Sequence, residues 1–177
     1  MYKVIAPALL AAALMSGAVQ AKDAKPADSA KAMMKVDTAD FAKTVMSSNA
    51  FEIKSSELAK QKSSLDDVKM FADQMIKDHT KADADLKTAL SASKMDAPAP
   101  MLAPKHDAMI KQLEAVDGAD FDALYIDMQA QAHMEAVALF RTYIASGDDK
   151  QVVAFAKKTL PSLEIHMKHV TELVAKH

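Results

Sequence analysis

Three histidines and one glutamate stand on helix-period stripes at positions where a core would ordinarily place apolar side chains. His79 fills one slot of Leu65, Val68, Ala72, Met75, His79, Ala82, Leu86 and Ala89, with steps alternating between three and four. That is the spacing of a buried helix seam. His166 does the same in Val152, Ala156, Thr159, Leu163, His166, Val170 and Leu173. His133 shares a face with Tyr125, Gln129, Val137 and Phe140, and Glu52 shares one with Phe41, Val45, Ser48, Ser55 and Ala59. Burying such groups without partners is costly, and it drives histidine to its neutral, metal-binding form. Three imidazoles and one carboxylate suit a single divalent ion with nitrogen and oxygen ligands, Zn²⁺ or Fe²⁺. Glu52, His79, His133 and His166 are therefore the candidate ligands. Tyr125 and Gln129 lie one or two turns from His133, and Asp78 flanks His79, so these three are candidates to hydrogen-bond and orient the ligands. The same four residues would also serve as a satisfied polar layer that sets bundle register. Residue type and spacing leave both readings open.

The elements that must position these side chains are helices. The chain is rich in Ala, Leu, Met, Lys, Asp and Glu and holds only three glycines, a helical composition. A first helix is predicted over 38–62, behind Asp37 or Thr38 as cap. Ser63-Ser64 makes a tight connection, with Ser64 the expected cap of a second helix over 65–94. Prolines 98, 100 and 104 must interrupt the chain. A short amphipathic helix over 105–116 is expected to end at Gly118. Long helices follow over 121–145 and 149–175, the last one carrying Pro161, where a kink is expected. Two short turns and one long connection predict an all-α, ferritin-like antiparallel four-helix bundle with a short extra helix in the connection.

Height along the helices links the candidates. At about 1.5 Å per residue, Glu52 and His79 lie roughly 17 and 23 Å from the first turn, about one helical turn apart. His133 and His166 are similarly offset about the second turn, so all four fall near mid-bundle.

The N-terminus, MYKVIAPALLAAALMSGAVQA, has a basic start, an apolar run too short to span a bilayer and small residues before Lys22. Residues 1–21 read as a signal peptide, 22–37 as a flexible leader and 38–176 as the bundle. A periplasmic location follows, with any outer-membrane association peripheral and no transmembrane segment expected after cleavage. The chain has no cysteine, which excludes disulfides and thiolate metal sites. Its 22 basic and 24 acidic residues are interspersed, so no basic face is expected for nucleic acid. Most of the thirteen methionines outside the leader follow core spacing and read as gap fillers rather than a thioether copper site. His106 and His177 are expected at the surface, as is His169, three residues beyond His166 but off its stripe. No phosphate-binding loop or nucleophile motif is present.

FADQMIKDHTKADADL, GADFDALYIDMQAQAHMEAVALF and FAKKTLPSLEIH, in this order, resemble a bacterial envelope family of unknown function. Its members are often labelled outer membrane proteins, and its fold is placed in the ferritin-like superfamily. Phe71, Asp78, His79, Phe121, Asp122, Tyr125, His133, Leu160, Pro161 and His166 carry the resemblance, with Glu52 at the acidic position of the first helix. The resemblance implies the fold and export but no activity. The Glu-x-x-His pairs of di-iron bundles are missing: Ile76, Ala130 and Leu163 stand three residues before the histidines. A mononuclear or structural site is therefore expected instead. The two functional readings are a periplasmic bundle binding one metal ion, and a non-enzymatic envelope or stress-related protein with a structural polar layer and a protein partner.

Overall fold

A computed structural model describes residues 35–99 and 101–177. The expected signal peptide, most of the leader and Pro100 lie outside the described residues. Five helices follow in order: α1 (Thr38–Lys62), α2 (Asp66–Ala92), α3 (Pro104–Glu114), α4 (Gly118–Ser146) and α5 (Lys150–Lys176). Their ends follow from local chemistry. Asp37 caps α1 by accepting from the Ala39 N–H at 2.8 Å, and Asp149 caps α5 by accepting from Gln151 and Val152. Ser64 does not cap α2. Leu65 holds that position, and Ser63 Oγ accepts from the Leu65 N–H at 3.1 Å. Gly118 opens α4 rather than closing α3, with a φ of +59° that a side-chain-bearing residue rarely adopts. Pro161 is exposed and α5 runs through it.

Each long helix lies antiparallel to its two neighbours. Phe41 near the start of α1 stacks on Tyr143 near the end of α4, and Ser56 late in α1 bonds Tyr125 early in α4. Asp67 early in α2 pairs with Lys176 at the end of α5, and Ser93 just past α2 bonds Asp149 at the start of α5. The helices therefore circle the core in the order α1, α2, α5, α4. The connection 93–117 travels from one end of the bundle to the other, and α3 within it packs on α1 and α4. Lys62 fastens its far end by donating to the carbonyls of Leu113, Glu114 and Val116.

The apolar interior comes in two parts. One cluster gathers Phe51, Phe71, Leu113, Phe121, Tyr125 and Val170 near the α1–α2 turn. The other gathers Phe41, Leu86, Phe140, Tyr143, Phe155 and Leu163 near the α4–α5 turn. Polar residues occupy the level between them. Among the described residues no helix is long and apolar enough to cross a membrane.

Candidate metal centre

The middle layer is built by one turn from each long helix. His79 from α2, His133 from α4 and His166 from α5 are 4, 1 and 4 % exposed. Their ring centroids lie 5.4–5.6 Å apart in all three pairings. One ring nitrogen from each lies within 4.8 Å of those from the other two.

Each ring is held from behind by an acceptor. His79 Nδ1 donates to Asn49 Oδ1 at 2.9 Å. His133 Nδ1 donates to the Gln129 carbonyl at 2.9 Å. His166 Nε2 donates to Asp78 Oδ2 at 2.9 Å. A neutral imidazole carries one N–H, so these bonds leave His79 Nε2, His133 Nε2 and His166 Nδ1 as bare acceptors. Those three atoms are buried and have no hydrogen-bond partner. Each ring of the cluster thus carries one buried lone pair that no described residue meets. Protons are disfavoured as the missing partners. Burial holds His79 well below its ordinary value, with His133 and His166 adding to the effect. Burial also lowers His133 to about 4, and lowers His166 against the opposing pull of Asp78.

The structure gathers three of the four expected ligands and places the fourth behind one of them. Glu52 is 1 % exposed, and its Oε1 lies 3.8 Å from His133 Nδ1, the nitrogen that donates to Gln129. Burial raises Glu52 to about 8, partly offset by its bond with Gln129, so it is largely protonated at neutral pH. Gln129 serves His133 through its backbone oxygen, while its side-chain amide donates to Ser55 at 2.9 Å. Tyr125 bonds Ser56 at 2.9 Å, and the Phe71 ring lies edge-on to both Tyr125 and His133. Asp78, expected beside His79, orients His166 across the α2–α5 seam instead, and also accepts from Gln74.

Asn49 escaped the sequence reading. It precedes Glu52 by three residues and so shares its face, one turn nearer the level of His79. His106 was expected at the surface and is buried: its Nδ1 lies 2.7 Å from Ser47 Oγ, and its ring stacks on Phe51. Ser47 Oγ also accepts from the Ala103 N–H at 2.7 Å, so this pair pins the start of α3 to α1. His177 pairs with Asp67, and the His169 ring meets Phe71 edge-on.

A cavity of about 190 Å³ at the α2–α5 seam includes His79 and His166 in its wall. Asp78, Asp85, Lys81 and Lys158 line it too, giving two of the three imidazoles a polar approach from outside.

Comparisons with known proteins agree with this architecture. A family model described as a domain of unknown function, DUF4142, matches residues 23–173. No curated protein matches. A DUF305 fragment from Deinococcus radiodurans is similar in structure, with a TM-score of 0.68 at 12 % identity over 78 % of this chain and 95 % of that one. CopM in its Cu(II)-bound form is similar with a TM-score of 0.67 at 18 % identity, over 80 % of this chain and 98 % of that one. At these identities the likeness is one of fold.

Proposed function

The chain belongs to the DUF4142 family, whose description names no activity, and on its own geometry we propose that it is an exported protein binding one divalent first-row metal ion. His79, His133 and His166 are the ligands. The observation that carries this reading is that one ring nitrogen from each histidine lies within 4.8 Å of the other two, in a cluster where every ring keeps one buried nitrogen unpaired among the described residues. A bound cation would supply the positive charge that those lone pairs lack. Neutral imidazole is a donor for Zn²⁺, Fe²⁺ and Cu²⁺ alike. Copper joins the two ions expected from the sequence because CopM, similar in fold, was solved with Cu(II).

The residues behind the ligands complete the proposal. Asn49, the Gln129 carbonyl and Asp78 select the tautomer of each ring and hold it in place, as acceptors behind metal-bound histidines do. Glu52 stands behind His133 as a neutral acid rather than as a ligand. We read residues 1–21 as a signal peptide, the location as periplasmic and the bundle's connectivity as ferritin-like.

The test is metal content. Untagged protein purified from periplasm is loaded separately with Zn²⁺, Cu²⁺ and, without oxygen, Fe²⁺, and the bound metal is counted. One ion per chain is expected for at least one of them, lost in His79→Ala and in His166→Ala. Substoichiometric metal with every ion, unchanged by either substitution, would leave only the structural polar layer.

A further inference from the structure

His79 also borders a second cavity, about 210 Å³ in volume, lying between α1 and α4. Val45, Ala132, Ala136, Leu139, Phe140 and Leu163 form its apolar side. One water accounts for about 30 Å³ of liquid, and an apolar cavity of about 150 Å³ accepts benzene. The space therefore suits a small organic molecule better than a single water.

Thr44, Ser48, His106 and Thr159 are polar members of the lining, and so is Asn49, which is buried. The amide is committed at one end, because Oδ1 accepts from His79 Nδ1 at 2.9 Å. With His79 Nδ1 as the donor, the amide nitrogen is turned away from the ring. Its Nδ2 is left as a buried donor without a partner among the described residues. Leaving such a donor unpaired is costly. A ligand bringing an acceptor oxygen would recover that cost and cover the apolar wall together. An anion is disfavoured. The carboxylate in the wall is Glu135, and its cation, Lys105, already pairs with it at 2.5 Å.

We propose that this cavity binds a small neutral carbonyl compound with an aromatic or branched aliphatic body, its oxygen accepting from Asn49 Nδ2. The chain supplies every contact, so the site requires no metal. It neighbours the metal centre through the Asn49–His79 bond.

Acetophenone is the probe, and α-methylstyrene, with a CH₂ group in place of the carbonyl oxygen, is its control. Both are titrated into ¹⁵N-labelled, metal-free full chain and followed by NMR, so failure of the metal reading does not affect the outcome. Saturable shifts at the Asn49 side-chain amide and at Ala132, Ala136 and Leu139 are expected. Acetophenone should bind about fivefold tighter than the control, the worth of one hydrogen bond. Asn49→Leu should abolish that preference. Ala136→Leu, which fills space without touching the amide, should weaken both compounds together. Absence of saturable shifts in the unsubstituted chain overturns the proposal. So does equal affinity for the two compounds, or a preference that survives Asn49→Leu.

Discussion

Buried polar groups at the two ends of the bundle and those in its middle are treated differently. At one end Tyr143 Oη lies 2.7 Å from Thr38 Oγ1, which in turn donates to Asp148 at 2.8 Å. Towards the other, Tyr125 and Ser56 meet at 2.9 Å. Seven buried side-chain atoms lack a partner among the described residues, and six of them belong to the middle layer: Asn49, Glu52, His79, Gln129, His133 and His166. Asp122, on the first turns of α4, is the exception. The middle histidines are not careless placements, because each has one ring nitrogen paired and only the other bare. A layer serving structure alone would be closed as the ends are. One paired at the back and open at the front is what the proposed metal centre requires.

The largest effect that would break this contrast is loss of a ligand. His133→Ala should lower metal affinity by more than about 100-fold, beyond the 10–100-fold typical for a supporting residue. Calorimetric titration checks it, and unchanged affinity would return the middle layer to the same class as the ends. Asp78→Ala should fall within that 10–100-fold range with stoichiometry kept, because His166 loses its orienting acceptor but not its donor nitrogen. The ratio of the two losses, read in one buffer, separates holding an ion from holding a ring.

The next effect is on stability against pH. His79, His133 and His166 are depressed below their ordinary 6.5 in the folded chain. The unfolded chain therefore binds more protons below about pH 6.5, and stability falls as pH drops from there towards 4, where His133 titrates. His106, also depressed by burial, adds in the same sense. Glu52 acts oppositely: raised from 4.5 to about 8, it is stabilising while protonated, and that contribution is lost as pH rises between those values. Metal-free protein should thus melt highest near pH 6.5, with a steep acid limb and a shallow alkaline one. Saturating metal should steepen the acid limb, since protons and ion compete for the same nitrogens. A melting temperature flat from pH 5 to 8 would show the imidazoles are not held neutral.

Much of this was legible in the sequence. The stripes placed four helices within a few residues of their observed ends, and the histidines stood out as the wrong type in an apolar period. Glu52 misled because one-dimensional height is coarse. Its predicted level was about one turn from that of His79, and the residue one turn earlier on its face, Asn49, takes the place beside that ring. Asp78 was assigned to its sequence neighbour because the α2–α5 contact depends on register between hairpins, which helical period does not encode. His106 lay on a Pro-rich connection and read as surface, since only the tertiary path of α3 buries it against Ser47.

The smallest effects compare the two regions in stability alone. His133→Leu removes an imidazole with an unmet buried nitrogen, and replacing such a group by an apolar one of similar size is often neutral or stabilising. Metal-free His133→Leu should therefore melt no lower than the unsubstituted chain, within about 1 kcal/mol, although it binds no ion. Tyr143→Phe removes a hydroxyl whose bond is made, and should cost about 1 kcal/mol while leaving metal binding intact. Its ring keeps its stacking on Phe41 at 3.9 Å, and Thr38 keeps Asp148, so the loss is confined to the hydroxyl's bonds with Thr38 and the Asp149 backbone. Urea denaturation of both variants without metal measures the pair. Should His133→Leu lose several kcal/mol while Tyr143→Phe loses none, the middle layer would be the part that holds the fold together, and the ends would be the dispensable ones.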